Sequence, residues 1–413
     1  MGYRAQAISG LKWIGSYRIL MRLLSIVRTA VLARLLTPAQ FGVFGVATIV
    51  LGLLEMSTET GINVFLIQQA KQNALKQYLN TAWVISIMRG LLIALLIFIT
   101  APLVVVFFRS PDSLSILWLM AFIPLIRGFI NPAIIAFQRN LAFKSEFLFR
   151  SGLLVTDALV AVIIALTTRS AISLVWGMIA SALLEVVLSF IIPSLKPRFH
   201  FRSAQVRTIL HQGKWVTVSG VFAYFSGKTP DIIIGRQLPA VSLGFYQMAY
   251  RLAIIPFEEA METFNKVAFP VYSKFADDRE RLVRAVKQNY LAVTSLIIPI
   301  ILVIFLFARP LTLIILGDQW LAIVPLMRIL SLAGVLLVLG ALTDPIYLSR
   351  QRQDYLSLIN LIRLGLIVGL AIPFTLWWGP EGSAYALLIS LSLILPLRFY
   401  YALKALSAPV SGT

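Results

Sequence analysis

Twenty charged residues lie inside stretches that are otherwise apolar. The cations are Arg18, Arg22, Arg28, Arg34, Arg89, Arg127, Lys228, Arg251, Arg328, Arg363 and Arg398. The acids are Glu55, Glu59, Asp157, Glu185, Asp231, Glu258, Glu259, Glu262 and Asp344. Their spacing is helical. Arg18 and Arg22 are one turn apart, as are Glu55 and Glu59. Tyr224, Lys228 and Asp231 share one face, and Arg251, Glu258 and Glu262 share another. A charge near the centre of a bilayer costs roughly 2.5–3.5 kcal/mol on insertion scales. Such faces must therefore turn toward one another or toward a wet cavity.

Two chemistries fit. Guanidinium and ammonium groups in a low-dielectric cavity suit a phosphate or diphosphate anion. On this reading the substrate-binding candidates are Arg18, Arg22, Arg28, Lys228, Arg251 and Arg363. The acids could instead bind protons or sodium for coupling, or hold ion pairs, and the candidates are Glu55, Glu59, Asp231, Glu258 and Glu262. A structural clamp competes with both. In antiparallel helices Arg18 lies about as deep as Glu59, and Arg22 about as deep as Glu55. Tyr17, Tyr224, Tyr246 and Tyr250 could stack on sugar faces, although packing is the commoner role. No catalytic residue and no metal site is expected. The chain has no cysteine, and its two histidines, His200 and His211, lie in a polar connector. It has no GxxxxGK[ST] loop, so ATP is not expected as the direct driver. No cofactor is expected beyond a coupling ion, H⁺ or Na⁺.

These side chains need helices in lipid. The composition is 59% hydrophobic and 13% charged, with a mean hydropathy of +0.88. Soluble domains carry about 25% charge, and this chain has more apolar surface than a water-facing fold can hide. The formal charge of +19 would suggest nucleic acid in a soluble protein. Here the basic residues gather in loops on one side, as the positive-inside rule requires. The other side has only Arg109, Arg169, Arg236 and Arg309. Both termini are thus expected in the cytoplasm, and no nucleic-acid partner is expected.

Apolar runs of about 20 residues predict twelve helices: 12–36, 41–66, 79–108, 113–137, 151–167, 171–193, 214–235, 240–265, 289–308, 320–348, 355–377 and 381–403. Arg169 and Ser170 mark a turn after the shortest. The first segment carries four arginines and is expected to remain rather than be cleaved as a signal. FPVYSKFADDRERL onward, within the 266–288 connector, reads as an amphipathic surface helix.

The chain also repeats itself. Lys12, Trp13, Arg34 and Gly42 recur as Lys214, Trp215, Arg236 and Gly244, all 202 residues later. The expected organisation is an N-terminal six-helix lobe (1–195), a cytoplasmic linker (196–213) and a C-terminal six-helix lobe (214–413). Membrane proteins with such repeats usually work at the interface of their halves, so an all-α transporter with a central cavity is expected.

Several stretches carry a family resemblance: RLLTPAQFGVFG (34–45), AFQRNLAFK (136–144), SLVWG (173–177), DIIIGRQLPAVSLGFYQMAYRLAIIP (231–256), FPVYSKFADDRERL (269–282) and LGDQWLAIVPLMRIL (316–330). Together they resemble the polysaccharide transporter family, the Wzx-type flippases of the MOP exporter superfamily, in its colanic-acid-exporter-like branch. The resemblance covers nearly the whole chain. It implies twelve transmembrane helices in two pseudo-symmetric lobes with alternating access. It implies a cargo of oligosaccharide repeat units on undecaprenyl diphosphate, moved across the bacterial inner membrane for O-antigen, capsule or exopolysaccharide assembly. Polysaccharide polymerase and chain-length machinery come with it as candidate partners, and a monomer is the default state. In that superfamily helices 1, 2, 7 and 8 border the cavity. A lipid II flippase or a cation-coupled multidrug exporter of the same superfamily is the alternative. A glycan polymerase or ligase would need a large extracytoplasmic loop that this sequence lacks.

Overall fold

Apolar segments of this length can satisfy their backbone groups in lipid only as helices or closed barrels, and helices are what form. A computed structural model describes residues 20–62, 72–139, 142–193, 195–275 and 278–407; among these no strand occurs. The first half contains α1 (20–35), α2 (Pro38–Ser57), α3 (Gln72–Phe108), α4 (Ser113–Met120), α5 (Phe122–Gly128), α6 (Phe143–Thr168) and α7 (Ile172–Ile191). Then come α8 (Ser203–Gln237), α9 (Ala240–Ala253), α10 (Ile255–Lys274), α11 (Arg279–Leu306), α12 (Val324–Ala341) and α13 (Asp344–Ser349). Seven stretches among the described residues are long and apolar enough to cross a membrane. The last, Gln353–Ser407, is two helices that meet at Gly379, which is non-helical (φ 64°, ψ −147°). Thr375 and Ser383 bring their hydroxyl oxygens within 2.5 Å across that point. Eight residues along a straight helix span about 12 Å, so the chain reverses there into α14 (353–378) and α15 (380–407).

The repeat persists in the backbone. Helix α1 ends at residue 35 and α8 at Gln237; α2 starts at Pro38 and α9 at Ala240, again 202 residues on. Both halves also use positive-φ residues at turns between helices. Arg109 (φ 51°) and Arg169 (φ 46°) serve the first half, Gly317 (φ 98°) and Gly379 the second. The expected turn at 169–170 is present, with Arg169 closing α6.

Three expectations are corrected. Helix 151–167 begins eight residues earlier, at Phe143. The linker expected over 196–213 is mostly helix, because α8 starts at Ser203. The 266–288 connector is not a separate surface helix: α10 runs through to Lys274 and α11 starts at Arg279. There Asp278 caps α11 by accepting from the Arg281 N–H at 3.0 Å, a standard N-cap bond. Polar helical residues beyond a lipid-spanning stretch simply prolong it into water.

The chain divides into two units, Met1–Tyr224 and Phe225–Thr413, with the boundary inside α8. In the first, α3 and α5 cross at glycines. A Cβ on Gly90 would stand 2.3 Å from the Pro124 carbonyl oxygen, and one on Gly128 3.0 Å from that of Ser86. Only glycine permits this approach, the usual device where lipid gives no hydrophobic drive between helices. The N-terminal part of α8 belongs to the same unit. Tyr224 donates to the Ile49 carbonyl at 2.5 Å, and its ring lies against Gly52. In the second unit Phe257, Met261, Val293, Ile297, Ile301 and Val338 form one core cluster. Leu103, Val106, Ile191 and Leu291 project outward, as side chains solvated by lipid do.

Candidate functional site

The glycine crossing of α3 and α5 has a chemical consequence, because an arginine precedes each glycine. Arg89 and Arg127 are thereby held at one level in the first unit. Arg89 reaches the C-terminal end of α2. Its Nη2 donates to the Glu55 carbonyl at 2.7 Å and pairs with the Glu59 carboxylate at 3.0 Å, while its Nε donates to the Thr58 hydroxyl at 3.2 Å. A cation at the unsatisfied carbonyls of a helix end is doubly stabilised, by hydrogen bonds and by the helix dipole. Arg127 pairs with Glu185 of α7 at 3.7 Å, and Arg150 with Glu146 of α6 at 2.9 Å.

These groups line a cavity of about 370 Å³, together with Glu55, Thr60, Ser86, Phe137 and Phe149. Its size falls within the range of small-molecule sites. It holds four carboxylates and three guanidiniums. Among the described residues, three of the carboxylates have a cation within 4 Å; that of Glu55 has none.

The second unit has a smaller cavity, about 160 Å³, with Glu258, Asp344, Arg363 and Arg398 in its wall. Arg398 is held by three bonds: its Nη1 donates to Asp344 at 2.7 Å and to the Gly340 carbonyl at 2.9 Å, and its Nη2 donates to Asn360 at 3.3 Å. Gly340 makes room, since a Cβ there would meet Arg398 Cδ at 3.1 Å. Glu258 accepts from the Tyr250 hydroxyl at 2.6 Å. For Arg363 no ion pair occurs among the described residues. In each unit the cavity charges come from several different helices.

The remaining candidates are placed as follows. Arg28 is held by Asp157 of α6 through two contacts, 2.6 and 3.1 Å, with the two side chains only 12% and 13% exposed. Lys228 lies 3.7 Å from Asp231 and is 43% exposed, and Asp231, buried, also accepts from Gln247 at 2.7 Å. Arg22 and Arg251 are half-buried. Arg18 and the side chain of Glu262 lie outside the described residues. The structure thus brings Glu55 and Glu59 together with Arg89, and Glu258 into the cavity with Arg363. Depth matches Glu59 with Arg18, which lies outside the described residues; among the described residues its partner is Arg89 of α3, and periodicity fixes the face of a helix, not the neighbour it meets. Glu146 and Arg150 were missed because their helix was started too late, although their i, i+4 spacing was a usable signal.

Comparison with solved structures shows that this helical membrane chain has the fold of structures from the MOP superfamily. The lipid II flippase MurJ in an inward closed conformation superposes with a TM-score of 0.77 at 13% identity, over 95% of this chain and 88% of that one. An inward-facing multidrug resistance MATE family transporter gives 0.71 at 15%, over 93% and 94%. The chain itself belongs to the polysaccharide biosynthesis protein family, whose model matches residues 31–325. Among its relatives, the lipopolysaccharide biosynthesis protein WzxC of Escherichia coli K12 is 23% identical over all of this chain and 83% of its own length. The succinoglycan biosynthesis transport protein ExoT of Rhizobium meliloti is 26% identical over 76% and 63%.

Proposed function

We propose that this protein flips undecaprenyl-diphosphate-linked oligosaccharide repeat units across the bacterial inner membrane by alternating access, for O-antigen, capsule or exopolysaccharide assembly. The observation that carries the reading is the membership of a polysaccharide biosynthesis family by a chain whose membrane helices enclose polar, charge-lined cavities. Flipping breaks no covalent bond, so the protein needs only to stabilise two access states differently for its cargo. Both termini lie in the cytoplasm on this reading, from the bias of basic residues among the loops.

The diphosphate is met by cations, of which Lys228 is the best placed. Its distance from Asp231 is at the edge of ion-pair range and its ammonium is half-exposed, so it can take a diphosphate oxygen without losing a strong bond. Arg22 and Arg251 join it as candidates, whereas Arg28 is consumed by Asp157. Glu55 is the coupling candidate, being the cavity carboxylate without an ion pair among the described residues. A deletion strain should accumulate unflipped lipid-linked repeat units, and the purified protein in vesicles should move them. Lys228→Glu and Arg22→Glu should each abolish movement while membrane insertion persists; full movement by both removes the anion site. Preference for lipid II or for cationic dyes in the same vesicles would favour the MurJ-like or MATE-like alternative.

A further inference from the structure

The segment joining α7 to α8 presents two aromatics among cations at the edge of the apolar belt. Phe199 and Phe201 are 74% and 62% exposed, and Lys196, Arg198, His200 and Arg202 around them are exposed as well. A segment bearing charge only to satisfy membrane orientation needs no aromatics and no fixed shape. This one has both.

Its backbone is tied down along its length. The Leu195 carbonyl accepts from Asn131 Nδ2 at 2.8 Å. The Arg198 N–H donates to Asn80 Oδ1 at 2.8 Å, and the Arg202 N–H to the Thr81 hydroxyl at 3.3 Å. The Thr81 hydroxyl donates in turn to Gln205 at 2.5 Å. The Phe199 ring leans on Trp83 with centroids 4.6 Å apart, and Trp83 is itself fixed by donating Nε1–H to the Phe129 carbonyl at 3.0 Å. Among the described residues, the side chains of Lys196, Arg198 and Arg202 make no hydrogen bond or ion pair and are exposed.

We propose that residues 195–202 form a preorganised strap that binds the phosphate headgroups of anionic phospholipids. Phe199 and Phe201 bury their apolar rings at the headgroup–acyl boundary, as the apolar face of an interfacial segment does. Lys196, Arg198 and Arg202 reach the phosphates, as juxtamembrane basic clusters do. Ile191 and Ile192, exposed just before the strap, place it beside hydrocarbon. This inference rests on the chain being embedded in a membrane and is independent of the cargo assigned above.

The test uses the purified full-length protein in neutral detergent, titrated with phosphatidylglycerol or phosphatidylcholine, with retained lipid counted by native mass spectrometry. Each cation is expected to contribute about fivefold. K196Q/R198Q/R202Q should therefore lose about a hundredfold in affinity for phosphatidylglycerol with unchanged thermal unfolding, whereas R198K/R202K should keep it. F199S/F201S should weaken both lipids and preserve the preference between them. The control K274Q/R279Q/R281Q removes three exposed cations from the helix ends at the α10–α11 junction and should leave the preference intact. An equal loss in the control, or an undiminished preference in the strap variant, overturns the proposal.

Discussion

Removing one partner of the Arg28–Asp157 pair should unfold the first unit more readily, and removing both should not. The fork geometry, with contacts of 2.6 and 3.1 Å between side chains little more than a tenth exposed, brings the charge centres to about 4 Å. At an effective dielectric near 20 the attraction is about 4 kcal/mol, and the desolvation of two ions offsets much of it. Asp157→Asn or Arg28→Met alone leaves a buried charge uncompensated and should cost about 3–5 kcal/mol. Arg28→Met with Asp157→Leu leaves nothing to compensate and should return close to the parent stability, with export intact. Gly177 permits the arrangement, because a Cβ there would come within 2.6 Å of both the Asp157 carbonyl oxygen and its Oδ1. Gly177→Ala should therefore imitate Asp157→Asn. Thermal unfolding in detergent, run beside complementation of an export-deficient strain, reads both quantities. A double variant with parent stability but no export would refute the clamp and return Arg28 to the cargo.

Other outcomes follow from the same geometry. Glu55→Gln should remove the response of transport to a pH or sodium gradient while sparing cargo binding, measured in vesicles with and without ionophore. Gly90→Leu should lower the melting temperature and abolish transport, since the α3–α5 crossing cannot open without displacing Arg89 and Arg127; Ser86→Ala beside it should be nearly silent. Gly379→Ala meets no neighbouring atom, yet should cost about 1–3 kcal/mol because its backbone angles are strained for any residue with a Cβ; unfolding in denaturant measures it.

The helices and the repeat were legible because lipid leaves the backbone few options and because Arg34 and Gly42 keep their spacing in Arg236 and Gly244. Helix ends were less so. Nothing in the apolar signal says where a span stops and a water-soluble turn of the same helix continues, which is why 196–213 and 266–288 were read as connectors. Glu55, Glu59, Glu185, Arg89 and Arg127 of the first cavity were visible as intramembrane charges, but Glu146 and Arg150 were not, and the partners of the rest were not. Arg89 meets Glu59 across the α2–α3 contact, and Gly90 and Gly128 bring Arg127 to the same level, long-range facts that helical periodicity does not carry. An arginine followed by glycine in each of two neighbouring helices is the pattern that would have indicated the second.

The wide sequence separation of Arg28 and Asp157, 129 residues, bears on how the chain is made. At about 5–20 residues per second, roughly 6–26 s pass between synthesis of the arginine and arrival of its carboxylate. Throughout that interval α1 carries a charge that hydrocarbon disfavours, so its settled position must wait for α6. Early spans of this protein would then stay beside the insertion machinery, in a protein-lined or hydrated setting, and be released to lipid as a group once the late acid emerges.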